Sequence, residues 1–395
     1  MKIFLFVVGL LVLLGIEILR VYFIMPFPGS QRNETIAIAY FIESNINLFR
    51  ITGVLLIAYP CYHFANSASN RVKWTAVAGL LVWIVILYLF NFRFLAEKVF
   101  YQPQTTLFLN AKESKISDRQ LVLGVAINGE AKAYPIELIG YHHQVRDSVG
   151  GVPVMVTYCT VCRTGRVYSP SVDGQPENFR LVGMDHFNAM FEDSRTKSWW
   201  RQANGEAIAG PLKGKLINEV PSEQLRLDAW IREHPNTMVM QPDSAFIEEY
   251  EGLKNYDEGK SKGKLTRADS LSWKEKSWVV GVPIGLYASA YDWNDLKRLR
   301  VIDDVLANTP ILVTLENDSV SFHVYLRDTL NFLYEGNKEV LTDANTQSIW
   351  SWKGECVEGK LLGSKLQRIQ AYQEFWHSWK GFHPNTSEYH PKPEP

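Results

Sequence analysis

Residues 103–388 carry the same series of short motifs twice, in the same order. Leu-Gly-Val-Ala-Ile at 123–127 and Ala-Lys-Ala-Tyr at 131–134 recur 157 positions later, as Val-Gly-Val-Pro-Ile and Ala-Ser-Ala-Tyr. His-Pro-Asn-Thr at 234–237 recurs 149 positions later, at 383–386. This period is far longer than that of solenoid repeats. We therefore expect two pseudo-equivalent domains, the second slightly shorter than the first.

The sequence of each repeat predicts mainly β-strands. Segments rich in β-branched and aromatic residues, bounded by glycine, proline or polar residues, predict strands at 122–127, 131–135, 154–159, 166–171 and 179–184. A helix is predicted near the end of each repeat, at 222–234 with Ser222 as N-cap and at 371–382. The predicted fold class is N-terminal transmembrane helices followed by a β-rich α+β ectodomain of two tandem pseudo-equivalent repeats.

A chain of 395 residues is long enough for several domains. The predicted organisation is a transmembrane region at 1–95, a first repeat at 103–240, a connection at 241–276, a second repeat at 277–388 and a tail at 389–395. The connection is rich in charged residues and contains glycine, which predicts an exposed segment.

Segments of the N-terminal region are long and apolar enough to cross a bilayer, at 3–25, 46–65 and 74–92. Glu17 and Arg20 interrupt the first segment on one helical face, so we expect them to pair with each other. With three spans, Lys2, Arg71 and Lys73 lie on the cytoplasmic side, as the positive-inside rule requires. The sequence predicts a multi-pass protein of the cell membrane, in contact with the lipid bilayer, whose C-terminal domain lies outside the cytoplasm.

Charge and cysteine content exclude two classes of protein. The chain has 41 basic and 42 acidic residues, a net charge of −1, and no block of like charge, so we expect no nucleic-acid partner. Its four cysteines are too few for a scaffold built on disulfides. The fold must therefore rest on a hydrophobic core.

Residues that only one repeat contains are candidates for chemistry, because the shared fold explains the residues that both contain. Cys159 and Cys162 form a Cys-x-x-Cys sequence at the end of a predicted strand. The second repeat has Glu316 and Ser319 at these positions. The thiols therefore belong to the first repeat alone.

Histidines follow the same distribution. His142 and His143 precede the strand that ends in Cys159, and Leu299 and Arg300 replace them in the second repeat. His186 also lacks a counterpart in the aligned motifs. The first repeat is therefore the candidate functional site, and the second is predicted to be a scaffold.

The Cys-x-x-Cys sequence allows three interpretations, and the pattern leaves all of them open. A redox dithiol needs one thiol that ionises near neutral pH, which nearby cations can cause. A metal site would combine Cys159 and Cys162 with His142, His143 or His186, a ligand set that favours copper or zinc. A structural disulfide would suit an oxidising compartment.

The first repeat also resembles a known family, domain of unknown function 3179 (DUF3179). The resemblance rests on Tyr134-Pro135, His142, the run from Gly-Gly-Val-Pro-Val to Cys-Arg-Thr-Gly at 150–165, and the blocks at 198–200 and 205–212. Some members of that family are understood to carry selenocysteine in the Cys-x-x-Cys region, which implies redox chemistry. By carry-over, the resemblance implies Cys159, Cys162 and His142 as site residues.

The leading hypothesis is a membrane-tethered, extracytoplasmic thiol redox protein, a candidate thiol–disulfide oxidoreductase with an unidentified redox partner. Cys159 or Cys162 is the attacking thiolate, the other resolves, and His142 assists as a base or lowers the thiol pKa. The alternative is a copper or zinc binding protein that receives metal from an unidentified donor, using these cysteines with His142, His143 or His186. A non-catalytic binding module with a structural disulfide is the third hypothesis.

Overall fold

The computed structural model describes residues 1–336 and 340–391, and the chain forms two compact units. The membrane unit comprises residues 1–101, 176–201 and 206–216. The main unit comprises residues 102–175, 202–205 and those from 217 onward. Each unit has its own clusters of buried hydrophobic side chains.

The membrane unit begins with the helices Lys2–Tyr22, Ile36–Ser44, Ile46–Ala65, Asn70–Phe92 and Ala96–Val99. Within the described residues, three of them are long and apolar enough to cross a membrane: Lys2–Tyr22, Ile46–Ala65 and Asn70–Phe92. This confirms the three predicted segments. The sequence analysis did not predict the short helix Ile36–Ser44, which is too short to cross a bilayer.

Charged side chains of these helices form a buried network. Glu17 accepts hydrogen bonds from Arg50 Nε at 2.6 Å and from Asn91 Nδ2 at 2.8 Å. Arg20 pairs with Glu43 at 3.1 Å. The predicted Glu17–Arg20 pair was therefore wrong, because neighbouring helices supply closer partners. Such pairing satisfies charges that would be costly to leave alone in an apolar environment.

The membrane unit also contains an antiparallel sheet with the strand order Ala207–Ala209, Trp199–Arg201, Asn188–Asp193 and Phe179–Asp185. Its face packs against residues around the short helix, in a cluster that includes Trp199, Met190, Ile24 and Ala39. The Tyr40 and Trp199 rings meet edge to face, with centroids 5.1 Å apart. The sheet therefore shares a core with the short helix Ile36–Ser44 and the segment before it, whereas the long helices pack in a separate cluster.

The first half of the main unit is built on two sheets. One is mixed, with the strand order Phe108–Asn110, Met238–Met240, Glu130–Pro135, Leu121–Ile127 and Glu223–Arg226. The other is antiparallel, with the order Gln144–Val149, Val152–Cys159 and Thr164–Tyr168. The remaining elements are the helices Ile136–His142, Leu227–Glu233 and Ile247–Glu251, the 3₁₀ turn Ser244–Phe246, and the short strands Ser171–Val172 and Gln175–Pro176.

Most elements of the second half follow one another in an order similar to that of the first half, and they form three sheets. One sheet has the order Tyr372–Phe375, Trp278–Ile284, Tyr287–Asp292 and Ser387–Glu388. Another has the order Val301–Leu306, Thr309–Leu315, Phe322–Leu326 and Gln367–Arg368, and a third has Phe332–Glu335, Val340–Asp343, Ile349–Trp350 and Cys356–Glu358. The helices are Trp293–Leu299 and Trp376–Phe382.

Equivalent positions of the two halves make equivalent contacts. The matching hydrogen bonds are Tyr134–Asp147 and Tyr291–Asp304, both at 2.7 Å, and Trp230–Thr237 and Trp379–Thr386, at 2.9 and 2.8 Å. Gly124 lies under Trp230 and Gly281 under Trp379, so closely that an added Cβ would be 2.5 and 2.3 Å from the rings. These glycines are required by the close approach of an indole to the strand.

The structure corrects the predicted helices at 222–234 and 371–382. Only Leu227–Glu233 and Trp376–Phe382 are helical, and Arg226 rather than Ser222 precedes the first of them. The residues before each helix, Glu223–Arg226 and Tyr372–Phe375, are strands that pair with the first long strand of their half. Pairing across about a hundred residues overrides local helix propensity here.

Candidate functional site

The cysteines lie on a tight hairpin. Strand Val152–Cys159 ends at the first cysteine, and strand Thr164–Tyr168 returns antiparallel to it, with Cys159 opposite Thr164. Cys162 and Arg163 therefore belong to the connecting turn, where Arg163 has a φ of +56°. A non-glycine residue rarely adopts this left-handed conformation, which costs of order 1 kcal/mol unless contacts hold it.

Both thiols are buried. Cys159 and Cys162 each have 0% of their surface exposed, and they do not form a disulfide. A hydrogen bond links the two thiols. The turn thus places its two sulfur atoms side by side in the interior.

An imidazole from the second half faces the second cysteine. His377 Nε2 lies 3.9 Å from Cys162 Sγ, and His377 Nδ1 lies 2.9 Å from the carbonyl oxygen of Glu275. Because a carbonyl oxygen can only accept, we assign the ring proton to Nδ1. His377 Nε2 then presents a lone pair toward the Cys162 thiol, the arrangement of a thiol and its base.

A cation lies beside the same turn. Lys276 Nζ donates to the carbonyl oxygen of Val161 at 2.5 Å and lies 4.8 Å from the centre of the Phe375 ring. Its charge favours ionisation of the Cys162 thiol. Burial lowers the pKa of Lys276 itself, and negative charge on either cysteine would oppose that change.

The resting site is electrically neutral at its thiol and its imidazole. Burial raises the pKa of Cys162 well above the ordinary value of 9.0, and the Cys159 thiol adds to the rise, while Ser378 and Lys276 oppose it. Burial and the charge of Lys276 lower the pKa of His377 to about 4. At neutral pH the pair is therefore a protonated thiol next to an unprotonated ring nitrogen.

Two buried arginines hold the turn in place. Arg163 donates to Gln373 Oε1 at 2.8 Å and to the carbonyl oxygens of Tyr256 and Asp257 at 3.1 and 2.7 Å. Its guanidinium also stacks on Trp278, 3.7 Å from the ring centre. These contacts compensate for the left-handed backbone at Arg163.

Arg166 anchors the return strand to the second half. Its Nη2 donates to Glu374 at 2.5 Å, and its guanidinium lies 3.3 Å above the Tyr372 ring. Arg166 and Glu374 are both 1% exposed. Although burial lowers the pKa of Arg166, the charge of Glu374 raises it above its ordinary value. Arg166 therefore stays charged, as part of a fully buried ion pair.

Buried residues of the connection at 241–276 contact the turn, although most residues of its stretch 248–276 are exposed, as predicted. Tyr256 is 1% exposed, and its hydroxyl donates to the carbonyl oxygen of Thr160 at 2.8 Å. Asp257 accepts from the backbone N–H of Leu121 at 3.1 Å. Composition did not reveal these few buried residues, because they lie among many charged, exposed ones.

The three predicted histidines have other contacts. His142 Nε2 lies 2.6 Å from the Tyr250 hydroxyl, and its ring packs on Phe246. His143 is left-handed, its Nδ1 lies 3.1 Å from the Tyr141 carbonyl oxygen, and burial lowers its pKa to about 4. The contacts described for His142 and His143 do not include the cysteines, so their ligand and base roles stay predictions.

His186 belongs to the membrane unit. Its Nδ1 lies 2.7 Å from Asp185 Oδ1, and its Nε2 lies 3.6 Å from Glu34. The hydrogen bond to Asp185 raises the pKa of His186. The contacts described for His186 likewise give no support to its role as a metal ligand.

The sequence analysis missed His377 and Lys276, although it contained a signal for the first. His377 stands where the first half has Asp228, by the same offset of 149 that relates the His-Pro-Asn-Thr motifs. His377 therefore met the criterion of a residue present in one half only. It was overlooked because that criterion was applied to histidines of the first repeat.

Comparison with known proteins identifies a family and adds no relative of known activity. The family described as "Protein of unknown function (DUF3179)" matches residues 102–386. Neither the curated proteins nor the solved structures contain a significant match to the chain.

Proposed function

The chain belongs to the DUF3179 family, and from its buried cysteine pair we propose that it is a membrane-tethered thiol redox protein acting through Cys159 and Cys162. The observation that carries the proposal is the approach of His377 Nε2 to Cys162 Sγ at 3.9 Å, next to a second thiol. A structural cysteine pair needs no such base. In this proposal His377 takes the role that the sequence analysis gave to His142.

The proposed reaction is thiol–disulfide exchange with a disulfide-containing partner. His377 accepts the proton of Cys162, whose thiolate attacks the partner's S–S bond, and one partner sulfur leaves as a thiolate that takes up a proton. Cys159 then attacks the mixed disulfide, its own proton goes to solvent, and the second partner sulfur leaves. The Cys159–Cys162 pair loses two electrons, and the partner disulfide gains them and becomes two thiols.

Burial implies that the partner must gain access before this exchange. Cys162 is 0% exposed and its pKa is raised, so its thiol reacts slowly in the resting state. Thr160 and Val161, which are 6% and 5% exposed, are the most exposed residues of the turn, and Lys276 donates to the carbonyl oxygen of Val161. We expect displacement of Lys276 to open the site.

A second candidate function is binding of copper or zinc by the same cysteines. Two adjacent thiols and the Nε2 lone pair of His377 supply the soft sulfur and imidazole donors that Cu(I) and Zn²⁺ prefer. A ligand set of this kind would make His377, rather than His142, His143 or His186, the nitrogen donor.

One experiment separates these functions. The full chain, purified in detergent without added metal, is equilibrated across a series of dithiol–disulfide ratios, and its cysteines are trapped with a maleimide and identified by mass spectrometry. We expect Cys159 and Cys162 to convert together, reversibly, in the wild type. Cys159→Ser and Cys162→Ser should abolish the two-electron couple, and His377→Gln should slow its equilibration at pH 7.

Cys356→Ser is the matched control. Cys356 is a buried free cysteine, 3% exposed, whose thiol contacts the carbonyl oxygen of Glu358 instead of another thiol. Its replacement should leave the couple unchanged. Bound metal that disappears in Cys159→Ser would instead support the metal function. If the Cys159 and Cys162 thiols are never oxidised across the series and no metal is bound, the remaining hypothesis is the non-catalytic binding module.

The proposal includes the side of the membrane on which the main unit lies. Three spans with Lys2 and the loop at Arg71 and Lys73 in the cytoplasm would place the main unit outside. Alkaline phosphatase fused after Glu388 should then be active, and the same enzyme inserted after Ser69 should be inactive. The reverse pattern would contradict an extracytoplasmic site.

We also propose that the halves of the main unit are tandem copies of one ancestral domain. Support comes from the similar order of elements and from contacts such as Tyr134–Asp147 and Tyr291–Asp304, at matching positions. Under this proposal the redox centre belongs to one copy, and the other copy contributes His377 and Glu374 across the interface. The second copy is then part of the site, as well as a scaffold.

A further inference from the structure

A cavity of about 310 Å³ lies between the two halves, away from the cysteine turn. The first half contributes Ser222, Glu223 and Trp230 to its wall, and the second contributes His323 and Arg368. None of these residues takes part in the proposed thiol chemistry. The cavity is of the concave kind, with apolar walls and a few convergent polar groups, that binds small ligands.

Two residues of the cavity wall, Glu223 and His323, form a group of potential metal ligands with the neighbouring Glu233. Glu223, Glu233 and His323 each offer a ligand atom, and the three atoms lie within 4.8 Å of one another. Tetrahedral zinc ligands at about 2.1 Å from the ion are roughly 3.4 Å apart, so small side-chain movements would close the site. Two carboxylates and one imidazole form a donor set for a divalent transition metal.

The histidine of this group is oriented as a ligand. His323 Nε2 lies 2.9 Å from Glu316 Oε1, which assigns the ring proton to Nε2. His323 Nδ1 is buried and has no hydrogen-bond partner among the described residues. Metal-binding histidines commonly donate their second ring N–H to a carboxylate in this way. An unpartnered lone pair on a residue that is 2% exposed is costly unless a ligand uses it.

A second polar atom of the cavity wall is also buried without a hydrogen-bond partner in the described segments. The Ser222 hydroxyl is buried and has no hydrogen-bond partner within the described part of the chain, although Ser222 lines the cavity. A hydroxyl can donate to, or accept from, a water molecule bound to a metal ion. Ser222 and His323 come from different halves, so both unsatisfied atoms face the same interface.

Arg368 now balances the charge of the carboxylates. Its guanidinium pairs with Glu223 and, at 3.1 Å, with Glu233. The Arg368 side chain is 24% exposed, so it can rotate toward solvent. A divalent cation and the guanidinium would therefore compete for the same two carboxylates.

We infer that Glu223, Glu233 and His323 form a second site, which binds a divalent transition metal such as Zn²⁺ in exchange for the Arg368 guanidinium. Glu316 is the positioning residue that fixes the His323 tautomer. The site is independent of the cysteines and of the proposed redox function. It joins the two halves, because Glu223 and Glu233 belong to the first and His323 to the second.

The test uses the full chain in detergent, stripped of metal with a chelator and titrated with ZnCl₂ by calorimetry. We expect one Zn²⁺ per chain at this site, and at least tenfold weaker binding in Glu233→Gln and in His323→Gln. Arg368→Met should bind Zn²⁺ several times more tightly than wild type, because the competing cation is gone. A residue with a merely structural role would give no such gain.

The Cys159→Ser/Cys162→Ser double variant separates this site from metal binding at the thiols. It should retain the same Zn²⁺ affinity as the wild type, and so should Glu177→Gln, which alters a buried carboxylate paired with Ser194 and Arg195. Several results would overturn the inference: no Zn²⁺ binding in the wild type or the cysteine variant, wild-type binding in Glu233→Gln, or no gain in Arg368→Met. The gain in Arg368→Met stays informative if His323→Gln does not fold.

Discussion

The turn of the cysteines and its counterpart in the second half are held together in different ways. In the second half, Asp318 accepts hydrogen bonds from the backbone N–H groups of Val320 and Ser321, at 2.9 and 2.8 Å. That turn therefore satisfies its own backbone. The turn of Cys159 and Cys162 depends instead on distant residues, since Tyr256 and Lys276 donate to its carbonyl oxygens.

The same contrast applies to the residues that follow each turn. Arg166 in the first half reaches across to Glu374 of the second, whereas its counterpart His323 bonds Glu316 of its own half. The comparison teaches that the buried thiols of the first half are held in place by contacts with residues far away in the sequence.

Among the tests of this contrast, Arg166→Met has the largest expected effect. It leaves the Glu374 carboxylate buried without its counter-ion, which costs about 3–5 kcal/mol of unfolding free energy. We expect His323→Met to cost less, because Glu316 keeps Arg232 as a partner. Urea denaturation followed by tryptophan fluorescence measures both. The double variant Arg166→Met/Glu374→Met should recover most of the loss, and a loss below about 1 kcal/mol in Arg166→Met would contradict the buried pair.

The next test is the response of the site to acid. His377 has a folded-state pKa of about 4, below its ordinary value of 6.5, so between these values the unfolded chain binds more protons. Stability should therefore fall as pH drops from 6.5 to 4, by up to about 3 kcal/mol from this residue. His377→Gln should flatten that part of the stability profile.

Asp228, at the position of His377 in the first half, gives the matched control. Although burial opposes it, the hydrogen bond from Arg226 holds the pKa of Asp228 below its ordinary value of 3.8. Its contribution is therefore complete above pH 3.8 and is lost only at lower pH. Asp228→Asn should leave the profile between pH 6.5 and 4 as steep as in the wild type. Equal flattening in both variants would argue against a special role of His377.

A third test concerns a contact that both halves contain, the packing of a glycine against an indole ring. Gly124→Ala and Gly281→Ala each drive a methyl group into an indole ring, so both should cost about 1–3 kcal/mol. Among the described residues, no neighbouring atom lies within 4 Å of a Cβ added to Gly381, so Gly381→Ala should not destabilise the protein. Thermal unfolding of the three variants measures these losses of stability. Different costs for Gly124 and Gly281 would show that the indole packing is not equivalent in the two halves.

The smallest expected effect belongs to a second shared contact. Tyr134→Phe and Tyr291→Phe each remove a hydroxyl that donates to an aspartate at 2.7 Å. Each should cost about 1 kcal/mol. The first should cost slightly less, because Lys132 also bonds Asp147, at 2.9 Å. Denaturant midpoints of the two variants measure the difference, and a larger cost for Tyr134→Phe would reverse the ranking.

Local sequence patterns correctly predicted the elements that are marked by composition or by alternation of apolar and polar residues. The apolar N-terminal segments are helices of membrane-spanning length, and the strands that end at Cys159 and Pro135 lie where alternation and composition placed them. The helix predicted at 222–234 was half wrong, because the pairing of Glu223–Arg226 with a distant strand is not visible locally. Glu17 and Arg20 were paired wrongly for the same reason.

The sequence by itself determined the membrane helices, the family and the position of the Cys-x-x-Cys sequence at the end of a strand, because those features follow from composition, motif and short-range spacing. Only the tertiary structure decided that both thiols are buried, that residues of the connection contact their turn, and that His377 rather than a neighbouring histidine faces Cys162. The reason is that desolvation and proton transfer depend on which groups come within a few ångströms. Packing of the second half against the first brings together groups 215 positions apart.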